Sequence, residues 1–181
     1  MEEETDNKQI NVKDWIILST TMIGAVLTIL ALIWQARPSR GIVTVTFLLM
    51  LSFIFFVNSV SANSRANFEL KLKNFDIKKV NKFVKFAEYT FGMGFTIVII
   101  GFSILGYMYL LDFTLGSIYA LILPITFLVI AWILILIYNT INYSGKSVKG
   151  LRSMKRNLWI LMEFISLIAI LFDFFIFAFI I

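Results

Sequence analysis

Residues 15–34 read WIILSTTMIGAVLTILALIW, twenty residues with no charge and a Trp at each end. At 1.5 Å per residue a helix of that length covers about 30 Å, the thickness of a bilayer's hydrocarbon core. Trp is the residue expected at both membrane–water boundaries. This block therefore predicts a membrane span, and four more apolar blocks follow, at about 42–60, 91–111, 117–138 and 158–181. The connections between most of them are short. Pro38 and Gly41 break the chain after the first span, and Asp112 and Gly116 mark a turn after the third. The expected fold is all-α, a polytopic transmembrane helix bundle of five spans forming one domain over 15–181. A polar, acidic tail over 1–14 precedes it. That start is too acidic, and the apolar run behind it too long, for a secretory signal.

Composition says the same. Of 181 residues, 60% are hydrophobic and 15% charged, against about 45–50% and 25% in soluble domains. Mean hydropathy is +0.90. The chain has no Cys and no His. That removes disulfides, thiolate metal sites, thiol nucleophiles, imidazole bases and His-ligated haem. There is no phosphate-binding glycine loop, no nucleophile elbow and no pair of acids at catalytic spacing. The expectation is a protein without catalytic activity, metal or cofactor.

Residues 61–90 break the apolar pattern. They hold Arg65, Lys71, Lys73, Lys78, Lys79, Lys82 and Lys85 against Glu69, Asp76 and Glu88. Phe68, Leu70 and Leu72 alternate with charged residues, which reads as weakly strand-like. From Asp76, a candidate N-cap, the period becomes helical. Ile77, Val80, Phe83, Val84, Ala87 and Phe91 share one face, with Lys78, Lys82 and Lys85 opposite. The 66–90 segment is thus expected to include a basic amphipathic helix lying on the cytoplasmic headgroups. Its lysines resemble a nucleic-acid patch only in charge. In a membrane chain anionic lipid is the fitting partner, at about 1 kcal/mol per Lys near the surface.

Orientation follows from the basic residues beside the spans. With five spans, the N-terminus, the 61–90 segment and the 139–157 loop lie on one side and hold fourteen Lys and Arg; the other side holds Arg37 and Arg40. The expectation is a multi-pass protein of the cell membrane, N-terminus cytoplasmic and C-terminus outside. Lys146, Lys149, Arg152, Lys155 and Arg156 of the second basic loop would then also meet lipid headgroups.

Two carboxylates interrupt the last span, Glu163 and Asp173. Ten residues of helix separate them by about 15 Å along the axis and about 80° around it, so they share one broad face with Ser166 between. An acid inside a span faces a bundle interior, a water-filled cavity or a pathway. One reading is a cation or proton route through Asp173, Glu163 and Ser166. The other is structural: Glu163 snorkels to Lys155, Arg156 or Arg152, and Asp173 bonds a Ser, Thr or Asn of a neighbouring span.

Small residues recur at helical spacing. Thr20, Gly24 and Thr28 line the first span, and Gly94 and Gly101 the third. Such seams let helices approach closely, within the chain or between copies. Pro124 predicts a kink in the fourth span; a broken helix can line an ion site, but a plain proline kink is the commoner case.

The leading functional expectation is a small oligomeric channel or transport protein for cations or protons. An odd span count gives no simple inverted repeat, which favours a pore between copies. The alternative is an accessory or assembly subunit of a larger membrane complex, in which small-residue seams stay uncovered until a partner binds. A third reading is lipid sensing through the basic helix. The expected partners are the bilayer, anionic headgroups and a second copy or a membrane-protein partner; nucleic acid is not among them.

Overall fold

A computed structural model describes residues 2–35, 41–72, 76–114, 117–142 and 154–178. Among these residues the chain is helical throughout, in five helices. They are α1 (Glu2–Gln35), α2 (Ile42–Leu70), α3 (Ile77–Phe113), α4 (Tyr119–Asn142) and α5 (Met154–Asp173). A π-helical turn, Phe174–Ala178, continues α5. Four helices are long and apolar enough to cross a membrane, over Val12–Gln35, Ile42–Leu70, Ile77–Phe113 and Leu158–Ile176. These are the helices of a membrane-embedded protein. The stretch expected as the fourth span is α4, whose described apolar part, Tyr119–Leu134, is shorter.

The helices run past the expected boundaries. α1 begins at Glu2, so the acidic stretch expected as a tail is helical. α2 continues from 60 to Leu70, and α3 is one helix of 37 residues, about 55 Å long. The strand-like reading of 68–72 is therefore corrected. No Pro or Gly stands between 61 and 70, so α2 runs on to Leu70 before the turn at 71–72. Leu70 is buried together with Ala66, one turn earlier, while Phe68 and Leu72 are exposed, which is a helical pattern. The basic stretch from Ile77 is continuous with the stretch expected as the third span, both belonging to α3. Asp76 caps it as expected: its Oδ1 accepts the Lys78 backbone N–H at 2.8 Å.

Contacts divide the chain into two units. The first contains α1, residues 46–70 of α2 and residues 77–98 of α3. Its buried positions form a seam with spacings of three and four residues in α2 and of three, four and seven in α1. In α2 they are Leu49, Ser52, Phe56, Ser59, Asn63, Ala66 and Leu70; in α1, Val12, Ser19, Val26, Leu30 and Ile33. A 3.5-residue period keeps one seam facing its neighbours along long helices. At one end Val12, Ala66, Leu70 and Val80 form a core, with Ile16, Phe83 and Val84 against it. The apolar face of the basic segment is thus occupied by α1 and α2. Further along, Phe91 of α3 meets Trp15 edge-on at 5.2 Å and Phe56 at 5.5 Å. Gly94 makes that approach possible, since a Cβ there would stand 3.1 Å from the Phe56 ring and 3.2 Å from the Phe55 Cβ.

The second unit contains residues 41–45, residues 99–113 of α3, α4 and α5. Its core is Tyr107, Ala120, Leu121, Ile170 and Phe174. Gly41 turns the chain with φ +80, a conformation that favours glycine. Gly106 lets α4 come close: a Cβ there would run into the Leu123 side chain. Sequence reading had passed over Gly106 as a seam residue. Pro124 is fully buried inside α4, which continues through it to Asn142.

Candidate functional site: the carboxylates of the last span

α5 has one buried stripe, Glu163, Ser166, Ile170 and Phe174. The spacing of three and four residues puts them on a single helix face. Glu163 is 0% exposed. Its Oε2 accepts the indole N–H of Trp132, on α4, at 2.7 Å. Its Oε1 is buried with no hydrogen-bond partner among the described residues. One turn earlier the indole Nε1 of Trp159 is buried and equally without one. The partner shown for Glu163 is an indole; Arg152 and the side chains of Lys155 and Arg156, toward which it was expected to snorkel, lie outside the described residues. A carboxyl group in apolar surroundings with one donor and one unmatched oxygen is a costly arrangement.

Asp173 is treated differently. Its Oδ2 accepts the phenol O–H of Tyr107, on α3, at 2.7 Å. Tyr107 is 1% exposed and sits in the core of the unit, while Asp173 is half-buried. This is the interhelical hydrogen bond foreseen for Asp173, made by a Tyr instead of a Ser, Thr or Asn. Helix α5 changes to its π-helical turn at the next residue, a backbone feature frequent at functional sites.

The residues between the two acids are closed. Ser166 spends its hydroxyl on its own helix, donating to the Glu163 carbonyl at 2.7 Å. Ile170 lies in the apolar core. Glu163, Ser166 and Asp173 therefore share a face, as expected, with an apolar residue between the acids. Beside Glu163 lies a shallow cleft of about 310 Å³, lined by Trp132, Ile160, Leu161 and Phe164. The rings of Trp132 and Phe164 stand 6.5 Å apart at 40°.

The other predicted residues fall into four groups. Gly94 and Gly101 are buried, as packing seams should be. Thr20, Gly24 and Thr28 are exposed, and a Cβ on Gly24 would meet nothing within 4 Å. Their hydroxyls bond their own helix, Thr20 to the Ile16 carbonyl and Thr28 to that of Gly24. So this seam is uncovered among the described residues. Lys78, Lys82 and Lys85 are exposed on α3. Lys146, Lys149 and Arg152 lie outside the described residues, as do the side chains of Lys155 and Arg156.

Three functional-looking residues were missed in the sequence. Trp132 and Tyr107 supply the donors for the two acids. Trp132 had a signal: a Trp in the middle of a span, away from the boundary, needs a buried partner for its N–H. Glu69 is the third. It is 4% exposed near the end of α2, and its Oε1 lies 2.8 Å from Arg65 Nη2 and 2.7 Å from Lys79 Nζ of α3. Among the described residues no three acidic side chains converge as a metal site would require. Compared with known proteins, the chain matches no family model, no curated protein and no solved structure.

Proposed function

We propose that the chain is a small transport protein that moves protons or cations across the cell membrane, working as an oligomer of identical copies. The observation that supports this most is Glu163, fully buried in a membrane helix with one oxygen held by Trp132 and the other unmatched. Intramembrane acids are rare and mark ion pathways by default. Glu163 takes precedence over Asp173 because Tyr107 already holds Asp173. Ile170 separates the two acids on one chain, so a continuous path would draw its remaining polar groups from a second copy. In this reading the N-terminus is cytoplasmic, all five helices cross, and Lys78, Lys82 and Lys85 face anionic headgroups. The test is flux in sealed vesicles with purified protein and a pH-sensitive dye, repeated for potassium and sodium. Glu163→Gln should cut the flux at least tenfold. Equal flux in wild type and variant rejects the reading.

The accessory-subunit reading is supported by a separate observation, the bare Thr20–Gly24–Thr28 face of α1. Small residues on an uncovered helix face are what close helix–helix packing in membranes uses. Gentle extraction of the tagged chain from its own membrane separates the two. A defined complex with a different protein favours the subunit, and a closed oligomer of one chain favours the transporter.

A further inference from the structure

We infer that the cleft walled by Trp132 and Phe164 binds an organic cation with an apolar body, of the quaternary-ammonium kind, and that Glu163 supplies its countercharge through Trp132. This deepens the transport reading and rests on it, because it names the class of substrate for the same acid. The cleft is lined by Trp132, Ile160, Leu161 and Phe164, with no polar side chain among them. Its volume of about 310 Å³ is at the small end of the roughly 300–1,000 Å³ of small-molecule sites. Two aliphatic residues and two rings suit an apolar body. What turns the cleft toward a cation is the residue behind its wall. Trp132 lines the cleft, and its indole N–H donates to the buried Glu163 carboxyl at 2.7 Å. A carboxylate accepting from the indole N–H raises the electron density of the ring, and a ring face attracts cations electrostatically. With Oε1 unmatched, an ionised Glu163 is favoured when a cation sits close by. In low-dielectric surroundings it projects a negative potential through the ring into the cleft. A quaternary ammonium needs no hydrogen-bond acceptor, so a ring face is sufficient to hold it. A neutral lipid chain would fill the same apolar volume without using Glu163 at all, which makes the charge dependence the deciding property.

The experiment uses the full chain in nanodiscs of zwitterionic lipid, with benzyltriethylammonium as probe and equilibrium dialysis as readout, empty nanodiscs subtracted. Wild type should bind saturably. Glu163→Gln, which keeps an acceptor for the Trp132 N–H but removes the charge, should weaken binding at least tenfold. Trp132→Phe, which keeps a ring but breaks the link to the carboxyl, should weaken it severalfold, and Asp112→Asn, exposed at the end of α3, should bind as wild type does. Helical circular dichroism and elution position check each variant's fold, and the Trp132→Phe arm decides should Glu163→Gln not fold. Absence of saturable binding overturns the inference. So does equal binding in the Glu163 or Trp132 variant, which would make the cleft an ordinary lipid-chain groove. If flux depends on Glu163 while the probe does not bind, the cation inference fails and the transport reading stands. If neither holds, both fail.

Discussion

The two units hold their buried acids in different ways. In the first, buried hydroxyls find partners at close range, while Asn67 Oδ1 is buried without a hydrogen-bond partner among the described residues. Ser19 and Ser59 share a hydrogen bond at 3.1 Å, Ser59 donates to the Ala87 carbonyl at 3.0 Å, and Thr90 donates to the same carbonyl at 3.0 Å. Those contacts tie α1, α2 and α3 together. Its buried acid, Glu69, is held by two cations. In the second unit a fully buried acid has a single neutral donor and an unmatched oxygen. Satisfied hydroxyls specify packing, whereas an acid left half-satisfied in a membrane helix stores unfavourable free energy that function can use. The difference teaches where to look for activity first: in the second unit, at the acid with a single neutral donor.

That contrast can be broken by substitution, with unfolding followed in detergent micelles. The largest effect is expected at Gly94, where any larger side chain must push into Phe55 and Phe56. Gly94→Leu should destabilise the protein by about 1–3 kcal/mol; a neutral outcome would mean that α2 and α3 do not approach there. Trp132→Phe removes the only donor described for Glu163 and should lower stability by about 1–3 kcal/mol. Tyr107→Phe removes the donor to Asp173 and should cost about 1 kcal/mol, within the range of interhelical hydrogen bonds in membranes. Ser59→Ala should cost about 0.6 kcal/mol by the same measure. A loss at Ser59 larger than at Trp132 would reverse the assignment of the two units. The smallest effect on the fold is expected at Gly24, which faces open space. Gly24→Leu should leave the unfolding transition unchanged while weakening any assembly through that face, read as a shift in elution volume.

Much of the architecture was legible because the bilayer imposes a simple rule. Uncharged blocks of about twenty residues become helices, and Gly41 and Asp76 act as the turn and cap their chemistry implies. The helix ends were misread for a physical reason. Charge marks where lipid stops, not where a helix stops: α2 runs through Arg65 and Glu69 to Leu70, and α3 starts at Ile77 behind the Asp76 cap. The alternation of Phe68, Leu70 and Leu72 was too short to outweigh the Ala62–Ala66–Leu70 spacing on the same chain. At the site, the acids announced themselves because charge is rare in a span. Their partners did not, since Tyr107 and Trp132 are ordinary membrane residues until their polar tips are placed. The Thr20–Gly24–Thr28 pattern was visible, but a period alone does not say whether its neighbour belongs to the same chain.

The central claim is that Glu163 is kept for transport and not for packing. The direct measurement pairs vesicle flux with thermal unfolding for Glu163→Gln. The account predicts flux reduced at least tenfold with stability unchanged or higher, because an amide replaces a half-satisfied acid while still accepting from Trp132. Unchanged flux with reduced stability would contradict it and make Glu163 a structural residue.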